Sequence, residues 1–202
     1  NNPPAPGASG QLKARMNGEF AFGLTADLKP GTLKGGTRLE VLSAEGALAQ
    51  ANGFVANLDC NLTPSEIQEL ALKFAKGTIP LGLIRVQGPF SAEKMEGKLS
   101  VQMLGIDKQL LNLATAGSGM DFGGTTLSST NLIEVSQGGK IVNAAGRLSL
   151  SNLSVIRTNP ATPVMDLAST YNATVDAAKG NAMLQAFNLT ATQKGNVFLK
   201  GE

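Results

Sequence analysis

The sequence predicts a mainly β chain, most of it a long antiparallel sheet with two short amphipathic helices, and three observations carry that expectation. Apolar residues alternate with small polar ones along most of the 202 residues, turn clusters rich in Gly, Pro, Asn and Asp separate the alternating runs, and two stretches change to helical spacing. The alternation is easiest to see over residues 144–155. Leu148 and Leu150 alternate with Arg147, Ser149 and Ser151, and then the phase slips at Asn152, so that Leu153 and Val155 carry the apolar positions. A bulge or bend produces such a slip. A related phrase returns over 184–190, and a fainter one over 54–58.

Taken in order, residues 1–10 (three prolines, two glycines) read as a linker, and 11–202 as a single β-rich module, a segment of a longer repeating protein. Residues 19–28 form a strand with Phe20, Phe22, Leu24, Ala26 and Leu28 on one face, closed by Lys29-Pro30-Gly31. Residues 37–43 repeat the pattern through Leu39 and Val41, and 47–59 hold one or two strands broken near Asn52-Gly53. Thr63-Pro64-Ser65-Glu66 has the form of a capping box, and Ile67, Leu70, Ala71 and Phe74 follow at helical spacing as far as Gly77. This predicts the first helix. Strands resume at 81–86 and 98–103. Asp107 then caps a second helix carrying Leu110, Leu111 and Ala114, which ends at Gly117-Ser118-Gly119. A long Ser/Thr-rich strand over 125–135 leads through Gly138-Gly139 to the strand at 144–155. A proline-bearing loop at 157–163 follows, then strands marked by Tyr171, Ala173 and Val175, by 184–190, and by Val197 and Leu199.

Composition narrows the function. Charged residues make up 16% and aromatics 4%, so Leu, Ala, Val and Ile must do most of the burying. A net charge of +2 with no basic cluster argues against a nucleic-acid groove, which needs a concentrated cationic stripe with stacking aromatics. The absence of histidine removes Ser–His and Cys–His catalysis and every His-ligated metal site. Cys60 is alone, and we read it as a small half-buried hydrophobe. Glu66/Glu69 and Glu93/Glu96 read as solvated surface, and no phosphate-binding loop is present. The chain is therefore expected to be no enzyme and to need no cofactor or metal. No apolar run reaches the ~18 residues of a membrane-crossing helix. The sequons at Asn61, Asn152, Asn172 and Asn188 sit mostly on strand residues and do not argue for glycosylation. What remains is a sheet whose apolar face must be covered. Either a closed sandwich buries it, or an open, curled sheet presents it to a ligand.

From Gly105-Ile106-Asp107 onward the chain resembles the AsmA-like proteins of bacterial envelopes, relatives of TamB, YhdP and the bridge-like lipid-transfer proteins. The matching features are that opening triplet, the Leu-rich helix to Leu113, the Gly-rich link 117–124, the Ser/Thr strand 125–135, and Gly146-x-Leu148-x-Leu150-x-x-Leu153. The resemblance covers about 104–202. It implies a long curved antiparallel sheet, a groove or open sandwich, that binds or conveys phospholipid without chemistry. It further implies a periplasmic place in the cell envelope, an anchoring segment not in this sequence, and envelope membrane proteins as partners. Alternation, not the family, supplies the candidate groove residues Phe20, Phe22, Leu24, Leu148, Leu150 and Val175. The competing reading is a closed-core structural or adhesive β-module that contacts protein or glycan.

Overall fold

The structure is a computed structural model and describes residues 11–116, 118–156 and 162–202. The linker expected at 1–10, the Gly117 end of the second helix and most of the 157–163 loop lie outside the described residues. Eleven strands form one antiparallel sheet in chain order: β1 (Leu12–Leu24), β2 (Pro30–Ala44), β3 (Phe54–Thr63), β4 (Glu66–Lys76), β5 (Ile79–Ser91), β6 (Glu96–Asp107), β7 (Asp121–Ser136), β8 (Ile141–Ile156), β9 (Met165–Asp176), β10 (Asn181–Gln193) and β11 (Asn196–Gly201). The sheet is open. With 74% of the described residues in strands of that one sheet, few of them are left to build a second layer.

The register sorts side chains cleanly. One row crosses all the strands from Gly18 through Thr37, Leu58, Leu72, Ile84, Met103, Ser129, Leu148, Ser169 and Leu189 to Gly201. The adjacent row, one residue along each strand and so on the opposite face, includes Glu19, Asp59, Arg85, Gln102, Thr130, Arg147 and Asn188. The sheet is thus apolar on one side and polar on the other. Ion pairs such as Lys73–Asp59 (2.8 Å) and Arg15–Glu40 (2.9 Å) dress the polar side.

The two ends of the sheet differ. Short turns make one end, at 25–29, 64–65, 92–95, 137–140 and 177–180. At the other end stand a 3-10 helix (Gly46–Ala51) and the helix α1 (Lys108–Ala114). Asp107 caps α1 by accepting from the Gln109 N–H at 2.8 Å, as the sequence predicts. Leu110 and Leu113 of α1 pack with Leu48 and Phe74 onto a buried cluster of Val41, Ala44, Ala51, Phe54 and Leu81. The Phe54 and Phe74 rings lie 5.9 Å apart. Together the two helices cover the ends of β3–β5, the most enclosed part of the molecule.

One predicted helix is absent. The segment expected to be helical from Thr63 to Gly77 is the β3–β4 hairpin: Thr63 pairs with Glu66, Pro64 and Ser65 form the turn, and β4 follows. A register shift leaves Gln68 without a cross-strand partner, so Ile67, Leu70 and Phe74 all reach the apolar face although they sit at helical spacing. Leu72 separates the two patterns. In a helix it would point about 200° away from Leu70, whereas here it lies between Leu58 and Ile84. Ladders on both sides of β4 then outweigh local propensity. Strand β1 also ends earlier than expected, at Leu24. Lys29 N–H donates to Thr25 Oγ1 across a turn in which Leu28 takes φ 59°, so Leu28 leaves the strand face. The slip expected at Asn152 is present, with φ 53° and a register shift between Leu150 and Leu153.

Leu72→Asp is expected to lower stability by about 1–3 kcal/mol because it places a carboxylate on the apolar face. Gln68→Asp, at the bulge, is expected to stay within about 0.5 kcal/mol. Urea titration of both variants checks this, and equal small losses would argue for a helix.

Candidate functional site

Alternation in each strand, stacked by register, builds the candidate site: the apolar face itself. Across eleven strands it is about 48 Å wide at the usual strand spacing. Its central residues, among them Leu58, Leu70, Leu72, Ile84, Val86, Val101, Met103 and Leu148, are only half-buried, since no second layer of described residues lies over them. Exposure peaks at the two edges. On β1, Met16 is 71% and Phe22 77% exposed, and at the far edge Leu184, Phe187 and Leu199 are also open. A compact chain of this mass shows about 8,900 Å² of accessible surface, and this one shows 12860 Å². The excess fits a single-layer sheet.

All six residues singled out from the sequence fall on this face. Phe20, Phe22 and Leu24 lie on β1, Leu148 and Leu150 on β8, and Val175 on β9. They share a surface without converging, for β1 and β8 are seven strands apart, about 34 Å. Sequence reasoning missed Leu72, and it gave Ile67, Leu70 and Phe74 to a helix. The signal that finds them is Leu72, the one apolar residue the helical stripe leaves over.

The face is not uniformly greasy. Tyr171 Oη donates to Asn131 Oδ1 at 2.8 Å across Gly146, and Asn131 Nδ2 donates to Ser129 Oγ at 3.1 Å. With Ser129 and Ser169 buried beside Leu148, these residues make a polar stripe over β7–β9 whose named hydrogen bonds are internal. Glycines recur on the same face. A Cβ at Gly18 would sit 2.8 Å from Gly36 O and one at Gly82 2.7 Å from Ile106 Cδ1, so the backbone there is closely crowded. An open depression of about 920 Å³ lies at Gly18, Gly35 and Gly36, lined largely by Asn17, Glu19, Arg38, Asn57 and Asp59 of the polar side.

The displaced carboxyls all move down: Asp27 through Thr25 and then Lys29, Glu40 through Arg15, Asp121 through the Asn112 amide, and Asp176 through Lys179. Such groups stay ionised at neutral pH and are surface anchors. Among the described residues no cluster of three or more His, Cys, Asp or Glu is placed to hold a metal ion. Cys60 is buried on the apolar face beside Leu70, more enclosed than the half-buried reading expects. Comparison with known proteins adds nothing to this picture, for no family model, curated protein or solved structure matches the chain.

Asp121 deserves a test because it joins α1 to β7. Asn112 Nδ2 donates to Asp121 Oδ1 and the Phe122 N–H donates to Asn112 Oδ1, both at 2.8 Å. The folded carboxyl titrates below its ordinary 3.8. Its contribution is therefore present above that value and lost as pH falls through the lowered one. Asp121→Asn is expected to be less stable than wild type at pH 7 and to converge with it in strong acid, as followed by thermal melts across pH. A gap that persists in acid would mean that charge plays no part in the clasp.

Proposed function

We propose that this chain is a non-enzymatic module of a bacterial cell envelope that binds or conveys phospholipid along the apolar face of its sheet, coiled into a groove. The observation that carries the reading is that face: mostly apolar from β1 to β11, with no layer over it among the described residues. Exposed apolar area on this scale marks a surface that meets lipid or protein. A phospholipid chain is long, flexible and indifferent to side-chain identity, which suits a surface of Leu, Ile, Val and Phe with few fixed polar groups.

Other features support the same reading. Glycines crowd the apolar side, as on the inner side of a bent sheet. The 3-10 helix and α1 meet although their connections are four strand spacings apart, about 19 Å on a flat sheet. They would stopper one end of the groove. The polar outer face, laced with ion pairs, suits an aqueous compartment. The segments carrying the family resemblance take matching forms: Asp107 opens a Leu-rich helix, β7 is the long Ser/Thr strand, and β8 bears the Leu-x-Leu phrase. The periplasmic setting, an anchor outside this sequence and envelope membrane-protein partners rest on that resemblance. The competing closed-core module needs a second apolar layer, and the described residues contain none.

Protein purified without detergent, extracted with organic solvent and analysed by mass spectrometry, is expected to release phospholipid in stoichiometric amount. Ile84→Ser with Met103→Ser is expected to cut that yield several-fold, while far-UV circular dichroism still reports a folded sheet. Lipid-free wild-type protein that is well folded would overturn the proposal.

A further inference from the structure

We propose that the polar stripe over β7–β9 receives the ester carbonyls of a bound phospholipid, so that the lipid lies on the sheet in a fixed register. The inference rests on the lipid reading above and adds the part of the ligand that the stripe recognises. The stripe is an island. Along the strands it is bounded by Leu127, Leu150 and Leu167 toward the helix end and by Ile133, Ala144 and Ala173 toward the turn end. Across the strands it meets Met103 and Val101 of β6, and Leu189 and Phe187 of β10. Hydroxyl and amide groups ringed by hydrocarbon, on a face that meets acyl chains, are costly unless the ligand supplies partners for them.

The hydrogen bonds define which partners are wanted. Tyr171 Oη donates to Asn131 Oδ1 at 2.8 Å, and Asn131 Nδ2 donates in turn to Ser129 Oγ at 3.1 Å. That relay runs one way and ends on Ser129, whose own O–H finds no acceptor among the described residues. On the other side of Leu148, Ser169 Oγ makes no hydrogen bond to a described residue, although Ser169 is only 8% exposed. Thr37, in the same row, instead spends its hydroxyl on Asn17 O at 2.9 Å. Register turns both serines toward the apolar face, one on each side of Leu148. The stripe thus presents two donors that lack acceptors. It carries no charge, and Arg147 of β8 lies on the opposite face. A phosphate or carboxylate would enter there without a counter-charge. An ester carbonyl is a neutral acceptor with no donor of its own, and a phospholipid carries it where the hydrocarbon begins.

The neighbouring hydrocarbon has a matching length. In the row of Ser129, the side chains from β6 back to β3 are Met103, Ile84, Leu72 and Leu58, and Thr37 of β2 ends the run. Four strands span about 14 Å at the usual spacing. A bilayer core about 30 Å thick gives each of its two leaflets about 15 Å of chain. With the ester at the stripe, one acyl chain covers β6 to β3.

Purified protein is incubated with vesicles of equal parts dioleoyl phosphatidylcholine and its ether-linked analogue, which lacks the carbonyls. It is then re-isolated, and the retained lipid is analysed by mass spectrometry. Wild type should retain the ester lipid over the ether lipid by about tenfold, as two modest hydrogen bonds allow. Ser129→Ala with Ser169→Ala should abolish the preference while total lipid and the circular dichroism spectrum stay as in wild type. Ser149→Ala, which removes a hydroxyl from the polar face, should keep the preference. Equal retention by wild type, or a preference that survives in the folded double variant, would sink this inference and leave lipid binding standing. Retention of neither lipid would count against both.

Discussion

An apolar sheet face that no other described part of the chain covers is the constraint on which the rest of the structure depends. Burying apolar surface, at roughly 25 cal/mol per Å², is the usual way a domain offsets chain entropy, and here the described residues supply no second layer. The sheet compensates along its plane. Each interior strand is hydrogen-bonded on both sides, neighbouring side chains half-cover one another, and the two short helices seal the ends of β3–β5, where the buried cluster forms. Buried residues are correspondingly small or placed at that end: Ala71 and Ala191 are fully enclosed, and Leu81 is the largest apolar residue to be so.

Glycine and aromatic residues show how the face is managed locally. Phe20 stands opposite Gly35, Phe74 opposite Gly82, Phe90 opposite Gly97, and Tyr171 opposite Gly146. A ring beside a glycine fills the space that a missing side chain leaves and shields backbone that would otherwise be wet. At Gly146 the arrangement is tightest. A Cβ would run into Asn131 Oδ1 and lie 3.0 Å from Tyr171 Oη, so glycine is what lets that hydrogen bond cross β8. Four of the nine aromatics of this chain are thus set against glycine backbone.

Much of this was legible in the sequence because period-two alternation is a local property. The strand faces, the Asn152 bulge and the Asp107 cap each follow from a handful of neighbouring residues, and the six proposed face residues all lie on one side. The failure at 63–77 was of the same local kind. A bulge at Gln68 shifts Ile67 into a spacing that a helix would also give, and Thr63-Pro64-Ser65-Glu66 suits a hairpin turn as well as a cap. Only Leu72 argued otherwise. Whether the sheet closes on itself was not legible at all, since alternation says which side is apolar and nothing about what that side meets.

Strict pairing of each strand with its sequence neighbours makes the sheet modular. Every strand ladder of the described residues joins sequence neighbours, so no strand waits on a distant segment, and closure costs little entropy at each step. Two strands can be added or removed with the direction, register and face of all the others unchanged, whereas a single strand would reverse everything after it. Evolution can therefore lengthen or shorten such a chain by whole hairpins, setting its span as freely as a ruler is cut.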